Sequence, residues 1–135
     1  MISNMKEIVA YLASPLGFTD AGQEFMKQKL SPMLKNLGLT ILNPWDSLEF
    51  TSIQMKKILT ITNYDERVSH LKSLNNEIAK ENEEMINKSD IIIAVLDGTD
   101  VDSGVAAEIG YAFANGKKMN LFKEGDNYLH TKRTI

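Results

Sequence analysis

Ile91-Ile92-Ile93-Ala94-Val95-Leu96 runs directly into Asp97-Gly98-Thr99-Asp100-Val101-Asp102-Ser103-Gly104-Val105-Ala106-Ala107-Glu108-Ile109-Gly110-Tyr111-Ala112. The unbroken apolar run reads as a strand buried on both faces. The segment 104–115 reads as a helix rich in small residues, with Asn115-Gly116 as its C-cap. Carboxylates and glycines therefore collect where a buried strand ends and a helix begins. In open α/β sheets, ligands bind at such places.

The same grammar extends outward. Ile8-Val9-Ala10-Tyr11-Leu12-Ala13 is an apolar run closed by Ser14-Pro15-Leu16-Gly17, a second buried strand entering a loop. Asp20 with Gln23 three residues on has the form of a capping box. Met26, Leu30, Met33, Leu34 and Leu37 keep helical spacing up to the stop at Gly38, with Pro32 expected to kink the helix or restart it from Ser31. Leu39-Thr40-Ile41-Leu42 is a strand ended by Asn43-Pro44. From Trp45 to His70 the pattern is poor, and a helix is expected only over 53–61. Leu71, Leu74, Ile78, Met85 and Ile86 mark one face of a long helix, and Met119-Asn120-Leu121-Phe122 is a fourth strand, at or near an edge. Alternating strands and helices predict a parallel sheet of four or five strands covered on both faces.

The chain has 135 residues, suited to a single domain spanning 1–135, and no repeats or linker break it. Its net charge of −3 gives no electrostatic footprint for nucleic acid or an anionic membrane. Without cysteine there is neither a disulfide framework nor a thiol nucleophile. The N-terminus has no signal-peptide pattern and no apolar stretch approaches a membrane span, so a cytoplasmic protein is expected. The polar residues from Asp126 to Ile135 are expected to be poorly ordered.

Several residues carry chemical interest. Glu108 lies one to two turns inside its helix among small residues that cannot shield it from a cleft; the helix's positive end should favour its ionised form. A carboxylate so placed is a candidate nucleophile. Asp97 ends the strand, where it can hold sugar hydroxyls or backbone amides. Asp102, six residues before Glu108, is a candidate site residue and equally a candidate N-cap. Asp100 reads as an exposed turn residue. The spacing D-x-x-D-x-D lacks the glycine and terminal glutamate of a calcium loop, and no metal is expected. Asn82 falls on the apolar face of its helix, where a buried amide needs partners, either strand-end backbone groups or a ligand. Tyr11 lies inside a strand whose neighbour is expected to end near the carboxylates. The Ser14–Phe18 loop matches neither a P-loop nor a G-x-G-x-x-G turn. Trp45 could stack on a base or fill the core, and His70 and His130 have no evident partners.

The pattern Asp97-Gly98…Asp102-x-Gly104…Glu108-x-Gly110-x-Ala112 resembles the nucleoside 2-deoxyribosyltransferase family. Tyr11-Leu12-Ala13-Ser14-Pro15-Leu16 and Glu81-Asn82…Ser89-Asp90 are similar to it as well. The resemblance implies a flavodoxin-like three-layer sandwich. It implies that Glu108 is the nucleophile, Tyr11 the hydroxyl that orients it, and Asp102 a sugar-binding carboxylate. Asp97, Asn82, Ser14, Gly104 and Ala13 are the expected substrate-binding positions. Deoxynucleosides and free nucleobases are the implied partners, no cofactor is needed, and a homo-oligomer is implied.

Two positions depart from the family pattern. Asn82 stands where members often carry an aspartate that handles the leaving base's proton, and an amide is no general acid at neutral pH. The family's Asn-Leu-Met-like C-terminal segment, which completes a neighbouring subunit's site around the 5′-hydroxyl, has no clear match before Ile135. Two rival readings follow: hydrolysis of deoxynucleosides or their 5′-monophosphates, and a non-catalytic nucleoside-binding module. Asp102 speaks against a phosphorylated substrate, since relatives acting on monophosphates tend to carry serine there and a carboxylate repels a phosphate dianion.

Overall fold

Among the described residues four parallel strands form one sheet: β1 (Ile8–Ala13), β2 (Leu39–Leu42), β3 (Ile91–Val95) and β4 (Lys118–Phe122), in the order β2-β1-β3-β4. The computed structural model describes residues 7–123. β1 pairs with β2 through Ile8↔Leu39 and with β3 through Tyr11↔Ile92, and β3 pairs with β4 through Ile91↔Lys118. All four strands anticipated from the apolar runs are present, with β4 at an edge. The chain proceeds from β1 to one side and later returns to β1's other side, so β1 and β3 flank the topological switch point.

Helices cover both faces, giving three layers. Successive residues of β1 point to opposite sides, so Leu12 joins Val95, Met26, Leu30 and Leu34 in one core. Tyr11 and Ala13 join Ile92, Ala94 and Met119 in the other, under Ile86, Val105 and Ala112. The first face is covered by α1 (Asp20–Phe25), a widened turn at Met26–Leu30, and α2 (Ser31–Asn36). The second is covered by α4 (Tyr64–Lys88) and α5 (Ser103–Ala114), while α3 (Leu48–Leu59) leans on α4. Among the described residues no helix is long and apolar enough to cross a membrane.

Three local expectations change. Asp20 does not cap α1. The short turn at Leu16–Phe18 leaves Thr19 extended, so Thr19 Oγ1 accepts from Gly22 N at 3.1 Å and Asp20 falls into the first turn. Gln23 reaches past the cap to donate to the Gly17 carbonyl at 2.9 Å. The α-helical pattern does resume at Ser31, beside Pro32, but Ser31 is not its cap. Ser31 N donates instead to the Met26 carbonyl, five residues back, and this wider turn carries the helix through the proline's missing N–H. The helix expected over 53–61 begins five residues earlier, because Asn43 caps a tight turn at Pro44–Ser47 that runs straight into Leu48.

The junction between α4 and β3 is fixed from several sides. Asp90 Oδ2 accepts from Val9 N at 3.0 Å, and Asp90 N donates to the Val9 carbonyl at 2.7 Å. Lys117 Nζ donates to the carbonyls of Asn87 and Ser89, at 2.8 and 2.7 Å, at the helix's negative end. The register of α4 against β1, and with it the placement of Asn82, follows from these contacts. Residues Asp126 to Ile135, His130 included, lie outside the described residues.

Candidate active site

A cleft of about 300 Å³ opens at the carboxyl ends of β1, β2 and β3. Its floor comes from the start of α5, with Asp102, Gly104, Val105 and Glu108. Ile78, Glu81 and Asn82 of α4 form one wall, while Ser14, Phe18 and Trp45 from the loops after β1 and β2 form another.

Glu108 stands at the centre of the polar contacts. The Tyr11 hydroxyl donates to Glu108 Oε1 at 2.7 Å, and Asn82 Nδ2 donates to the same oxygen at 3.2 Å. Glu108 Oε2 receives no hydrogen bond from the described residues. One donor comes from β1 and the other from α4, so the carboxylate on α5 is held by two further elements of the fold.

Burial is the largest influence on Glu108 and pushes its carboxyl above the usual range. The Tyr11 hydrogen bond opposes this, the Asp102 charge adds to it, and the Asn82 hydrogen bond opposes it again. The net direction is upward, which corrects the expectation that the helix terminus would favour ionisation. Glu108 is the sixth residue of α5, beyond the first turn where the helix dipole acts strongly, so desolvation dominates. Tyr11 is shifted upward too, first by burial, then by the Glu108 charge and the hydrogen bond to it. Its hydroxyl therefore keeps its proton and acts as the donor.

Asp102 is the N-cap of α5 and a lining residue of the cleft. Its Oδ1 accepts from Val105 N at 3.0 Å and caps α5, and its side chain also lines the cleft. A side chain at position 104 would meet that cap, since a Cβ there would lie 3.1 Å from Asp102 Oδ1. Gly98 turns the preceding loop with φ +110°, a conformation that L side chains rarely adopt.

The aromatic wall rests on a close approach. Trp45 Nε1 donates to the Ser14 carbonyl at 2.8 Å, and Phe18 meets the indole edge to face with centroids 4.8 Å apart. A Cβ on Gly17 would sit 1.8 Å from the indole, so the ring occupies the space a side chain would need. Ser14 Oγ accepts from Leu16 N at 3.0 Å and shapes this loop.

Of the residues singled out in the sequence, Ser14, Trp45, Asn82, Asp102, Gly104 and Glu108 line the cleft. Tyr11 lies beneath it and reaches it through Glu108. Ala13 is fully buried in the sheet and Asp97 is half-buried at the end of β3; neither lines the cleft. His70 lies outside it as well, one helical turn from Glu66 on α4. Among the described residues no group of His, Asp or Glu side chains converges to hold a metal ion. Phe18, Leu48, Thr51 and Ile78 are cleft residues that sequence reasoning left unassigned. The tight turn at Pro44–Ser47 brings in Leu48 together with Trp45, and the sequence signal for that turn was Asn43-Pro44.

The family model described as nucleoside 2-deoxyribosyltransferase matches residues 10–132. Among solved structures, the chain is similar to a 2-desoxiribosyltransferase from Leishmania mexicana, at 25% identity and a TM-score of 0.61. The match covers 87% of this chain and 65% of that one, so the chain spans slightly less than two thirds of that relative's length. A 2-deoxyribosyltransferase from the psychrotolerant bacterium Bacillus psychrosaccharolyticus shares the fold at 23% identity and a TM-score of 0.56, over 90% of this chain and 77% of its own. No curated protein matches the chain.

Proposed function

The chain belongs to the nucleoside 2-deoxyribosyltransferase family, and we propose that it transfers 2-deoxyribose between purine or pyrimidine bases through a covalent glycosyl–Glu108 intermediate. The observation that carries this reading is the Glu108 carboxylate in the cleft, with both the Tyr11 and Asn82 donors on Oε1 and none on Oε2.

A carboxylate held in this way suits substitution at an anomeric carbon. The C1′–N bond breaks as its electron pair passes to the base nitrogen, and the developing oxocarbenium ion is met by a lone pair of Glu108. The product is an ester between C1′ and the carboxylate, and the departing base takes its proton from solvent. An incoming base then attacks C1′ from the face the first one left. The C1′–O bond breaks, its electrons return to Glu108, and the new base releases its N–H proton to water. Two inversions give net retention. Lacking a 2′-hydroxyl, deoxyribose reaches the cationic state more readily than ribose, so deoxynucleosides are the fitting donors.

The remaining residues fit this use of the cleft. Tyr11 stays protonated and orients the nucleophile. Asp102 faces the sugar and disfavours a phosphate, Ser14 and Gly104 bound the same space, and Trp45 with Phe18 offers the base an apolar wall. Asp97 anchors the loop that carries Asp102, and Ala13 contributes only through the strand that bears Tyr11.

Incubation with one deoxynucleoside and a different free base tests the proposal. A new deoxynucleoside of retained configuration is expected. Free sugar as the sole product, or sugar phosphate from a 5′-monophosphate alone, would replace transfer with hydrolysis. Ligand binding without turnover, in both the native chain and Glu108→Ala, would establish a binding module.

A further inference from the structure

We propose that Asn82 is a positioning residue for Glu108: its amide N–H, together with the Tyr11 hydroxyl, fixes which carboxylate oxygen is left to react. The inference rests on the reading of Glu108 as the nucleophile. A single donor on Oε1 would leave the carboxylate free to swing about that contact. Two donors, from β1 and α4, constrain its plane and keep Oε1 occupied, leaving Oε2 without a donor among the described residues. The orientation of the amide follows from chemistry, since only Nδ2 is attracted to a carboxylate oxygen.

The place of Asn82 on α4 supports this. It lies between Ile78 and the Met85–Ile86 pair on the helix face turned to the core, where an amide must find a partner. The partner it has is the nucleophile. An amide also has no proton to lose in the working range, so it donates to Glu108 at every pH. The titratable groups around it are Tyr11 below, Asp102 at the start of α5, and Glu81 beside it on α4. Of these, Asp102 acts on Glu108 in the opposite sense to Asn82, raising the proton affinity that the amide lowers. Asn82 thus offsets part of the cost of keeping Glu108 ionised in a half-buried cleft.

The test compares the native chain with Asn82→Ala and with the isosteric Asn82→Asp, using the Glu108 carboxyl 13C shift to follow its titration. Asn82→Ala should move the Glu108 midpoint upward by about half a unit to one unit, and Asn82→Asp further, because a second carboxylate adds like-charge repulsion. In base exchange, Asn82→Ala should lower kcat about tenfold with a smaller change in KM. An unmoved midpoint in both variants would overturn the proposal. So would a raised KM with unchanged kcat, which marks a residue that only binds the base. A change in Tm alone, with midpoint and kcat as in the native chain, would reduce Asn82 to a structural part and overturn it too. The titration needs no turnover, so a shifted midpoint in a chain that transfers nothing would uphold the role of Asn82 and sink the transferase reading instead.

Discussion

The Tyr11 hydroxyl and Glu108 Oε1 meet at 2.7 Å across 97 positions of sequence, joining β1 to α5. Tyr11 is fully buried, so its ring cannot move away without opening the core beneath α4 and α5. Glu108 is therefore oriented by the sheet rather than by a loop, which suits the role proposed for it, since a nucleophile must meet one carbon from one side.

Tyr11→Phe removes the donor and leaves the ring. A hydrogen bond to a charged group contributes about 1.5–3 kcal/mol, so kcat should fall about ten- to a hundredfold. Glu108 loses the hydrogen bond that most opposes its upward shift, and the acidic limb of the kcat/KM profile should move to higher pH. An unchanged limb would show that Tyr11 does not act on Glu108.

Glu108→Gln keeps an oxygen for Tyr11 and Asn82 to bond and removes the desolvated charge. Activity should fall by at least ~10³-fold. Stability should move the other way. Burial raises the Glu108 proton affinity in the fold, so the native chain has the full benefit only below the unfolded glutamate value of about 4.3 and loses it as pH rises through the folded value. Thermal melts should show the variant to be the more stable protein at neutral pH, with the gap closing in acid. A variant less stable at pH 7 would contradict the assigned electrostatics.

Asp102→Asn keeps a capping oxygen for Val105 N and removes a charge that raises the Glu108 proton affinity. The acidic limb should shift to lower pH with little change in Tm, and 5′-monophosphates should become better tolerated. Asp102→Ala loses the cap as well and should cost about 1 kcal/mol in stability. Equal pH profiles in the native and Asn forms would show that the two carboxyl groups are uncoupled.

Gly17→Ala forces a methyl into the Trp45 indole. The ring or the loop must shift, at about 1–3 kcal/mol, and KM for the nucleoside should rise more than kcat falls. Intrinsic fluorescence reports the displacement directly, since Trp45 is the chain's one tryptophan. An unperturbed spectrum with native KM would mean that the wall is not where the base rests.

Much of this was legible in the sequence because buried parallel strands are written as continuous apolar runs. The runs at Ile8–Ala13, Leu39–Leu42 and Ile91–Leu96 mark three strands within one residue of their observed ends. Glu108 stood out because a carboxylate among alanines, glycine and valine has nothing beside it to screen it. The Trp45–His70 stretch stayed opaque because α3 buries none of its residues fully, so no sharp apolar stripe marks it. The contact between Asn82 and Glu108 was hidden for another reason: it depends on the register of α4 against β1, set by Asp90, Val9 and Lys117 far from the cleft. The upward shift of Glu108 depends on burial by three elements, which no local reading of α5 contains.

The central claim is that Glu108 carries the sugar. Its most direct test is the intact mass of the protein, quenched soon after mixing with a deoxynucleoside and no acceptor base, followed by mapping of the modified residue. A mass increase of one deoxyribosyl group located on Glu108, absent from Glu108→Gln, is the predicted result. Base release by Glu108→Gln at the native rate, or an adduct on any other residue, would contradict it.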